Sequence, residues 1–368
     1  MTSPRRITLV TAHLGLGGAE RVLCLMANYW CRKGWSVSLL TLGHGVRPAL
    51  HKLEPNVKWT DLDLGSHRRR TFWPLNEAAG ILRLRRAIKE SSPDAVIAFL
   101  NSANIPVLMA TVGMPVPIIV SERIDPHHEP IRLRDSLLRR LLYPRAACVT
   151  TQTRNALEFF SFAIQKRGRV IPNPVLPAPP NSARSRQDPG RVVVGVGRLA
   201  IQKRFDRLIR AFASVASKHA EWILEIWGDG DQRERLEDLV RQSGLQDRIV
   251  LRGRTDDIYG VMANADLFVL SSDYEGFPNV LCEALATGLP VISTDCPSGP
   301  GEVIRNGENG ILVPVADESA LSQALDRLME SADERARLGA NGRAIVDAFN
   351  VDRVMSTWEN VIEVATIS

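Results

Sequence analysis

At 368 residues the chain is too long for one ordinary core, and a prior of roughly 100–200 residues per domain predicts two domains. With 45% hydrophobic and 24% charged residues it is neither disordered nor membrane-spanning, and no apolar run approaches the ~18 residues that a transmembrane helix needs. The net charge of +5 is unevenly divided, because residues 1–187 carry 27 Lys and Arg against 12 Asp and Glu, whereas residues 188–368 carry 19 against 29. A basic first half points to an anionic partner such as nucleic acid, anionic lipid or a phosphorylated substrate.

The opening MTSPRRITLVTAHLGLGGAE has a short apolar run, but glycines and Glu20 follow where a signal peptide has a longer apolar core, which predicts a cytoplasmic start. Residues 7–12 (ITLVTA) read as a strand, 14–18 as a glycine turn, 19–30 as a helix and 36–42 (SVSLLTL) as a second strand. Further strands are expected at 95–100, 117–121 and 147–151 with helices between them, the pattern of a doubly wound parallel sheet. Residues 172–190 hold six prolines and little that can be buried. They predict a linker at 173–190 between a first domain, 1–172, and a second, 191–345. The alternation restarts with strands at 191–197, 222–228, 248–253, 266–272 and 290–294 and helices at 206–217, 231–243 and 279–287. In the final helix the apolar stripe of Val351, Val354, Met355, Trp358, Val361 and Ile362 predicts that 346–368 docks on a domain surface. The five cysteines are scattered and read as reduced core thiols.

Three stretches carry chemistry. In YEGFPNVLCEALATGLPVIS (274–293), Glu275 follows a strand and Glu283 lies seven intervening residues on, inside the next helix. Two carboxylates at this spacing suit a hydroxyl-rich ligand, and backbone N–H groups from Gly276 to Val280 at the helix start suit a diphosphate or a sugar hydroxyl. Taken singly, Glu275 reads as a helix-start carboxylate and Glu283 as a solvated helix residue. In GVGRLAIQKRFDRLI (195–209), Arg198 and Lys203 follow a strand ending in Gly195 and Gly197. Two cations at such an end can neutralise a diphosphate leaving group without a metal. In LGLGGAERV (14–22), Gly17 and Gly18 form a turn that could cradle phosphate, but a G-x-G-x-x-G frame from Gly15 meets Glu20 where its last glycine belongs, which disfavours a dinucleotide enzyme. Of the acidic pairs Asp61-Leu62-Asp63 and Asp229-Gly230-Asp231, the second is expected to be a loop, and no metal is expected.

In their order along nearly the whole chain these stretches resemble the retaining GT-B glycosyltransferases of family 4, with an early GGAER, a later GR…K, and E-x7-E followed by A-x-G-x-P-V-I. Ser121-Glu122-Arg123 and DCPSGPGEVI (295–304) are similar to the subgroup of PglH-type polyprenyl-diphosphate-linked N-acetylhexosaminyltransferases. The resemblance implies an α/β fold of two Rossmann-like doubly wound domains facing a central cleft, with the C-terminal helix packing back on the first. It implies a metal-independent, retaining hexosyltransferase moving a hexose or N-acetylhexosamine from a nucleotide-diphosphate sugar, UDP-linked, to a polyprenyl-diphosphate-linked acceptor in glycan assembly, with no cofactor. By the same resemblance Arg198 and Lys203 hold the donor diphosphate, Glu275 contacts the transferred sugar and Glu283 binds the ribose. Gly17, Gly18, Arg254, Gly276, Phe277, Pro278, Asn279 and Val280 complete the donor site. Many members carry a histidine near the anomeric centre in the first domain. Here the matching strand end reads Ser121-Glu122-Arg123, so that Glu122, Arg123 or neither takes that role.

GSHRRRTFWP (65–74) sets three arginines beside Phe72 and Trp73, and IRLRDSLLRRLLYPR (131–145) reads as a basic amphipathic helix. The first domain is therefore expected to lie on an anionic membrane through Arg68, Arg69, Arg70, Arg132, Arg139 and Arg140, as a peripheral protein on the cytoplasmic face of the plasma membrane. Two other readings compete: a catalytically inactive nucleotide-sugar binder, and a basic nucleic-acid-binding protein on a Rossmann scaffold. The second needs no paired glutamates, and no nucleic-acid partner is expected.

Overall fold

The computed structural model describes residues 5–15, 17–43, 52–64, 73–129, 131–179 and 191–367. It divides into two compact units, Met1–Asn173 with Asp352–Ser368, and Pro174–Val351.

The first unit runs β1 (Arg6–Thr11), α1 (Gly18–Arg32), β2 (Ser36–Thr41), β3 (Lys58–Asp61), α2 (Trp73–Ser91), β4 (Ala95–Phe99), α3 (Asn101–Ala110), β5 (Ile118–Ser121), α4 (Leu133–Leu142), β6 (Cys148–Thr151), α5 (Arg154–Glu158), α6 (Phe162–Arg167) and β7 (Arg169–Val170). The strands form one sheet in the order β3-β2-β1-β4-β5-β6-β7, and every pairing is parallel. β4 is buried along its whole length, as a strand covered on both faces must be. β3, the exposed KWTD, has no apolar run and is a sheet edge. Val96 and Ala98 of β4 join a core with Leu84, Ile88, Val107 and Leu108, whereas Phe99 stacks on Trp358 at 6.0 Å.

The second unit runs β8 (Arg191–Val196), α7 (Phe205–Val215), β9 (Trp222–Trp227), α8 (Arg233–Ser243), β10 (Ile249–Gly253), α9 (Ile258–Ala263), β11 (Leu267–Leu270), α10 (Asn279–Thr287), β12 (Val291–Thr294), α11 (Pro300–Val303), β13 (Ile311–Val313), α12 (Glu318–Glu330), α13 (Ala332–Gly342) and α14 (Ile345–Ala348). Its sheet is also all parallel, in the order β10-β9-β8-β11-β12-β13. α15 (Val351–Ile367) then belongs to the first unit from Asp352 onward, with Val354, Met355, Trp358, Val361 and Ile362 all buried.

Both sheets place their glycine turns at the carboxyl ends of strands, where an open α/β sheet binds its ligands. In the second unit these turns are close-packed. Gly228 sits at φ +144°, and a Cβ there would lie 1.8 Å from the Gly197 carbonyl oxygen. Gly228→Ala is therefore expected to cost roughly 2–6 kcal/mol from backbone strain and overpacking together. A urea midpoint equal to wild type would show that the β8 and β9 turns tolerate being pushed apart.

Candidate functional site

After β8 the chain passes Gly197 and Arg198, makes a single 3-10 turn at Ile201–Lys203, and enters α7 through Arg204 in the left-handed region at φ +49°. The Lys203 side chain lies across Gly197, where a Cβ would meet its Cε at 3.3 Å. Its Nζ reaches Glu275 Oε1 at 2.6 Å, and Ser272 Oγ donates to the same oxygen at 2.6 Å. Three more bonds stitch the two loops together: Asp273 N–H to the Gln202 carbonyl (2.9 Å), Gln202 Nε2 to the Tyr274 carbonyl (2.6 Å) and Ser271 Oγ to the Lys203 carbonyl (2.8 Å). Two residues 72 apart in sequence thus form one pair at the carboxyl end of the sheet. Arg198, which follows Gly197 in the chain, is exposed and makes no ion pair among the described residues.

Glu275 and Glu283 are both buried, and Glu283 sits on α10 among buried Leu281, Cys282, Ala284 and Leu285. A solvated helix carboxylate is thereby excluded. A buried carboxylate is costly unless it is paired or hydrogen-bonded. The expected row of open amides around the helix start is interrupted at Pro278 and Asn279. Asn279 N–H is taken by the Phe277 carbonyl at 2.9 Å, Pro278 has no N–H, and the Phe277 ring packs edge-on against Phe349 at 5.7 Å in the core. Gly276, Phe277 and Val280 N–H groups remain without a protein acceptor among the described residues.

A supporting layer escaped the sequence reading. Asp273, two residues before Glu275, pairs with Arg204 at 3.3 Å and with Arg207, while Asp206 accepts from Arg204 Nε at 2.9 Å and from Arg210 at 3.1 Å. These pairs hold the Asp206 carboxyl below its ordinary value against the opposing effect of its burial. Asp229 is tied to Arg233 (3.3 Å) and Arg254 (3.7 Å) and accepts from Gly230 N–H. Arg254 is thus part of an exposed ion pair in this structure.

In the first unit Gly17 is the N-cap of α1, and the Glu20 carboxylate folds back over it so closely that a Cβ on Gly17 would lie 2.2 Å from Oε2. His13 Nδ1 lies 3.4 Å from Glu20. The glutamate of GGAER therefore closes the helix start at the third helical position, the spacing of a capping box.

Glu122, the first-unit candidate, lies inside a hydrogen-bonded network. It is buried, and its Oε1 accepts from the Tyr143 hydroxyl, which in turn accepts from Asn104 Nδ2 at 3.0 Å. Burial, reinforced by the nearby Glu129 charge, pushes its carboxyl up to about 7, against the Tyr143 hydrogen bond. Its proton is held more tightly in the folded than in the unfolded chain. The resulting stability is fully present below about pH 4.5 and lost as pH rises through about 7. Glu122→Gln is expected to flatten the fall in urea midpoint across that window. An equally steep fall in the variant would assign the pH dependence to other groups.

Arg123 is buried as well. Its guanidinium stacks on Phe99 at 4.5 Å and donates to Asn173 Oδ1, and burial lowers it to about 9. His128 Nδ1 lies 3.0 Å from Asp125, and the His127 ring meets Phe159 edge-on at 5.1 Å.

The basic helix α4 also differs from expectation. Its apolar residues divide between two faces: Leu138 and Leu142 pack on the core, while Leu133, Leu137 and Leu141 are 77%, 54% and 70% exposed. Arg139 is not on the outer face, for its guanidinium is buried over Phe159 at 4.7 Å and pairs with Glu129 at 3.4 Å. Arg132 and Arg140 are exposed. Arg68, Arg69 and Arg70 lie outside the described residues. No helix among the described residues is long and apolar enough to cross a membrane.

Two doubly wound parallel sheets, the second with Lys203 paired to buried Glu275 and with a second buried glutamate, Glu283, have the architecture of the GT-B glycosyltransferases. Family comparison gives the same answer in both halves: residues 17–175 match the glycosyl transferase 4-like domain and residues 181–345 match glycosyl transferases group 1. The chain belongs to the GT-B glycosyltransferases of family 4. It is 28% identical over 97% of its length to the GalNAc-alpha-(1->4)-GalNAc-alpha-(1->3)-diNAcBac-PP-undecaprenol alpha-1,4-N-acetyl-D-galactosaminyltransferase of Campylobacter jejuni, covering 98% of that protein. It is 32% identical over 77% of its length to an exopolysaccharide phosphotransferase of Streptomyces coelicolor, of which it spans only 30%. Among solved structures, Anabaena HepE in complex with UDP and glucose superposes with a TM-score of 0.81 at 19% identity, over 98% of this chain and 99% of that one.

Proposed function

We propose that this glycosyltransferase moves a hexose or N-acetylhexosamine from a UDP-sugar to a polyprenyl-diphosphate-linked glycan at the cytoplasmic face of the plasma membrane, with retention and without a metal. The observation that carries the donor side is the 2.6 Å contact between the buried Glu275 and Lys203, which lies on the same strand-to-helix passage as exposed Arg198. The ammonium and the guanidinium meet the charge that develops on the leaving diphosphate, and the carboxylate accepts from a hydroxyl of the transferred sugar. Buried Glu283 suits the ribose. In a retaining transfer the bond from the anomeric carbon to the phosphate oxygen breaks as the acceptor oxygen bonds on the same face. The acceptor proton passes to the leaving phosphate, so no separate base is required.

The Campylobacter relative, which names an undecaprenol-linked substrate and aligns from end to end, supports a lipid-linked acceptor here. The outward Leu133, Leu137 and Leu141, flanked by Arg132 and Arg140, support a membrane face on the first unit. Incubation with a panel of nucleotide sugars tests the donor: slow hydrolysis of UDP-sugars is expected, and hydrolysis of another base's sugars alone would overturn that choice. Activity is expected to survive EDTA. Complete loss, restored by Mg²⁺ or Mn²⁺, would bring Asp229 and Asp231 back as ligands. The product from an α-linked donor is expected to show the small anomeric NMR coupling of an α linkage, and a β-linked product would refute retention.

A further inference from the structure

The first sheet reverses direction between β1 and β4, which pair in register from Ile7 with Ala95 to Val10 with Ala98, so the chain leaves both strands side by side. Crevices at such reversals are where α/β sheets take ligands. At the end of β4, Leu100 adopts φ +70° and ψ 151°. Its N–H bonds the Ser121 carbonyl, and its own carbonyl accepts from Ala103 and Asn104. The ten-residue helix α3 therefore starts abruptly, with the N–H groups of Asn101 and Ser102 lacking an acceptor among the described residues.

The Asn101 side chain is only 6% exposed and makes no hydrogen bond, and its Oδ1 is wholly buried. A buried carboxamide without partners is costly, and native proteins rarely keep one. Whichever way the amide is turned, it presents one acceptor and one donor. The ionised phosphate diester of a diphosphate link has no proton to give and satisfies only the donor. A sugar hydroxyl satisfies both, since it gives a proton to the amide oxygen and accepts from the amide nitrogen or the open helix N–H groups.

We infer that Asn101, with the N-terminus of α3, is a sugar-hydroxyl subsite that seats the terminal sugar of the acceptor. This rests on the acceptor class proposed above, but its first test does not. Saturation-transfer NMR on the full chain, with N-acetylgalactosamine alone and then with P1,P2-dimethyl pyrophosphate alone, whose methyl protons report the pyrophosphate signal, separates a sugar from a phosphate. The sugar is expected to show transfer with the wild-type protein and to bind roughly tenfold more weakly in Asn101→Ala, the effect of one neutral hydrogen bond. Asn101→Ser, which keeps a donor and an acceptor, is expected to retain part of the binding, and it serves as the measurement should the alanine variant misfold. No transfer to the sugar, equal transfer in all variants, or a pyrophosphate signal that depends on Asn101 while the sugar signal does not, would overturn the inference. In turnover with UDP-N-acetylgalactosamine and a short-chain prenyl-diphospho-N-acetylgalactosamine, Asn101→Ala is expected to raise KM for the acceptor about tenfold and to leave KM for the donor within about twofold. If the wild-type protein transfers nothing to that acceptor, the acceptor class fails, and the binding measurement still decides Asn101.

Discussion

Lys203→Ala is expected to lower turnover by ~10²–10³, the usual effect of removing one preorganised group aimed at developing charge, and Arg198→Ala by a similar factor. The two variants differ in what else they disturb. Arg198 is exposed, so its loss leaves nothing stranded. Lys203 faces the buried Glu275 at 2.6 Å, and truncating one member of a buried pair costs stability because the other charge is left without its partner. Combining Lys203→Ala with Glu275→Gln removes both charges. The double variant is expected to regain most of the stability and none of the activity. Wild-type rates in both single variants would end the diphosphate-clamp reading, and activity recovered together with stability in the double variant would reduce the pair to a structural one.

The second large effect concerns the membrane. Replacing Leu133, Leu137 and Leu141 together by serine is expected to weaken binding to anionic liposomes by roughly two orders of magnitude. A buried leucine contributes ~1.5–3 kcal/mol, and even half of that at each of three sites amounts to more than ~2 kcal/mol. Folding is expected to be little affected, because these side chains already face outward. Charge reversal at Arg132 and Arg140 acts differently. Each near-surface cation contributes about 1 kcal/mol, and that part fades as salt screens it, whereas the leucine part does not. Arg139→Glu is the instructive contrast, since it should unseat Phe159 and Glu129 in the fold and not merely release the lipid. Undiminished liposome binding by the triple leucine variant would remove α4 as the membrane face and leave the transferase unaffected.

What the sequence could and could not announce follows from the range of the interactions. The strands of the second unit are local apolar runs punctuated by glycine, so β8 with Gly195 and Gly197 and the strand-to-helix passage through Glu275 are legible from short stretches. The clamp between Arg204, Arg207 and Asp273 joins residues 66 and 69 apart, and no spacing rule reaches that far. β3 was missed because KWTD is an exposed edge, where neither alternation nor an apolar run is required. The leucines of α4 show why a helical wheel is ambiguous. A stripe broad enough to cover half the helix serves two faces, and only packing decides that Leu138 and Leu142 go in while Leu133, Leu137 and Leu141 go out. Glu20 was legible in principle: a carboxylate three residues after the N-cap glycine is a capping spacing.

The stack that runs from Trp358 to Phe99 and on to Arg123 and Asn173 determines when the first unit can be finished. Trp358 fills the core of a unit whose other residues end at Asn173, with the whole of Pro174–Val351 inserted between them. A chain emerging from the ribosome therefore completes the second unit while the first still lacks its largest C-terminal side chain. The late-made helix acts as the keystone of the early-made sheet. A fragment cut after residue 173 would carry an open apolar face where α15 belongs, and its natural fate is aggregation.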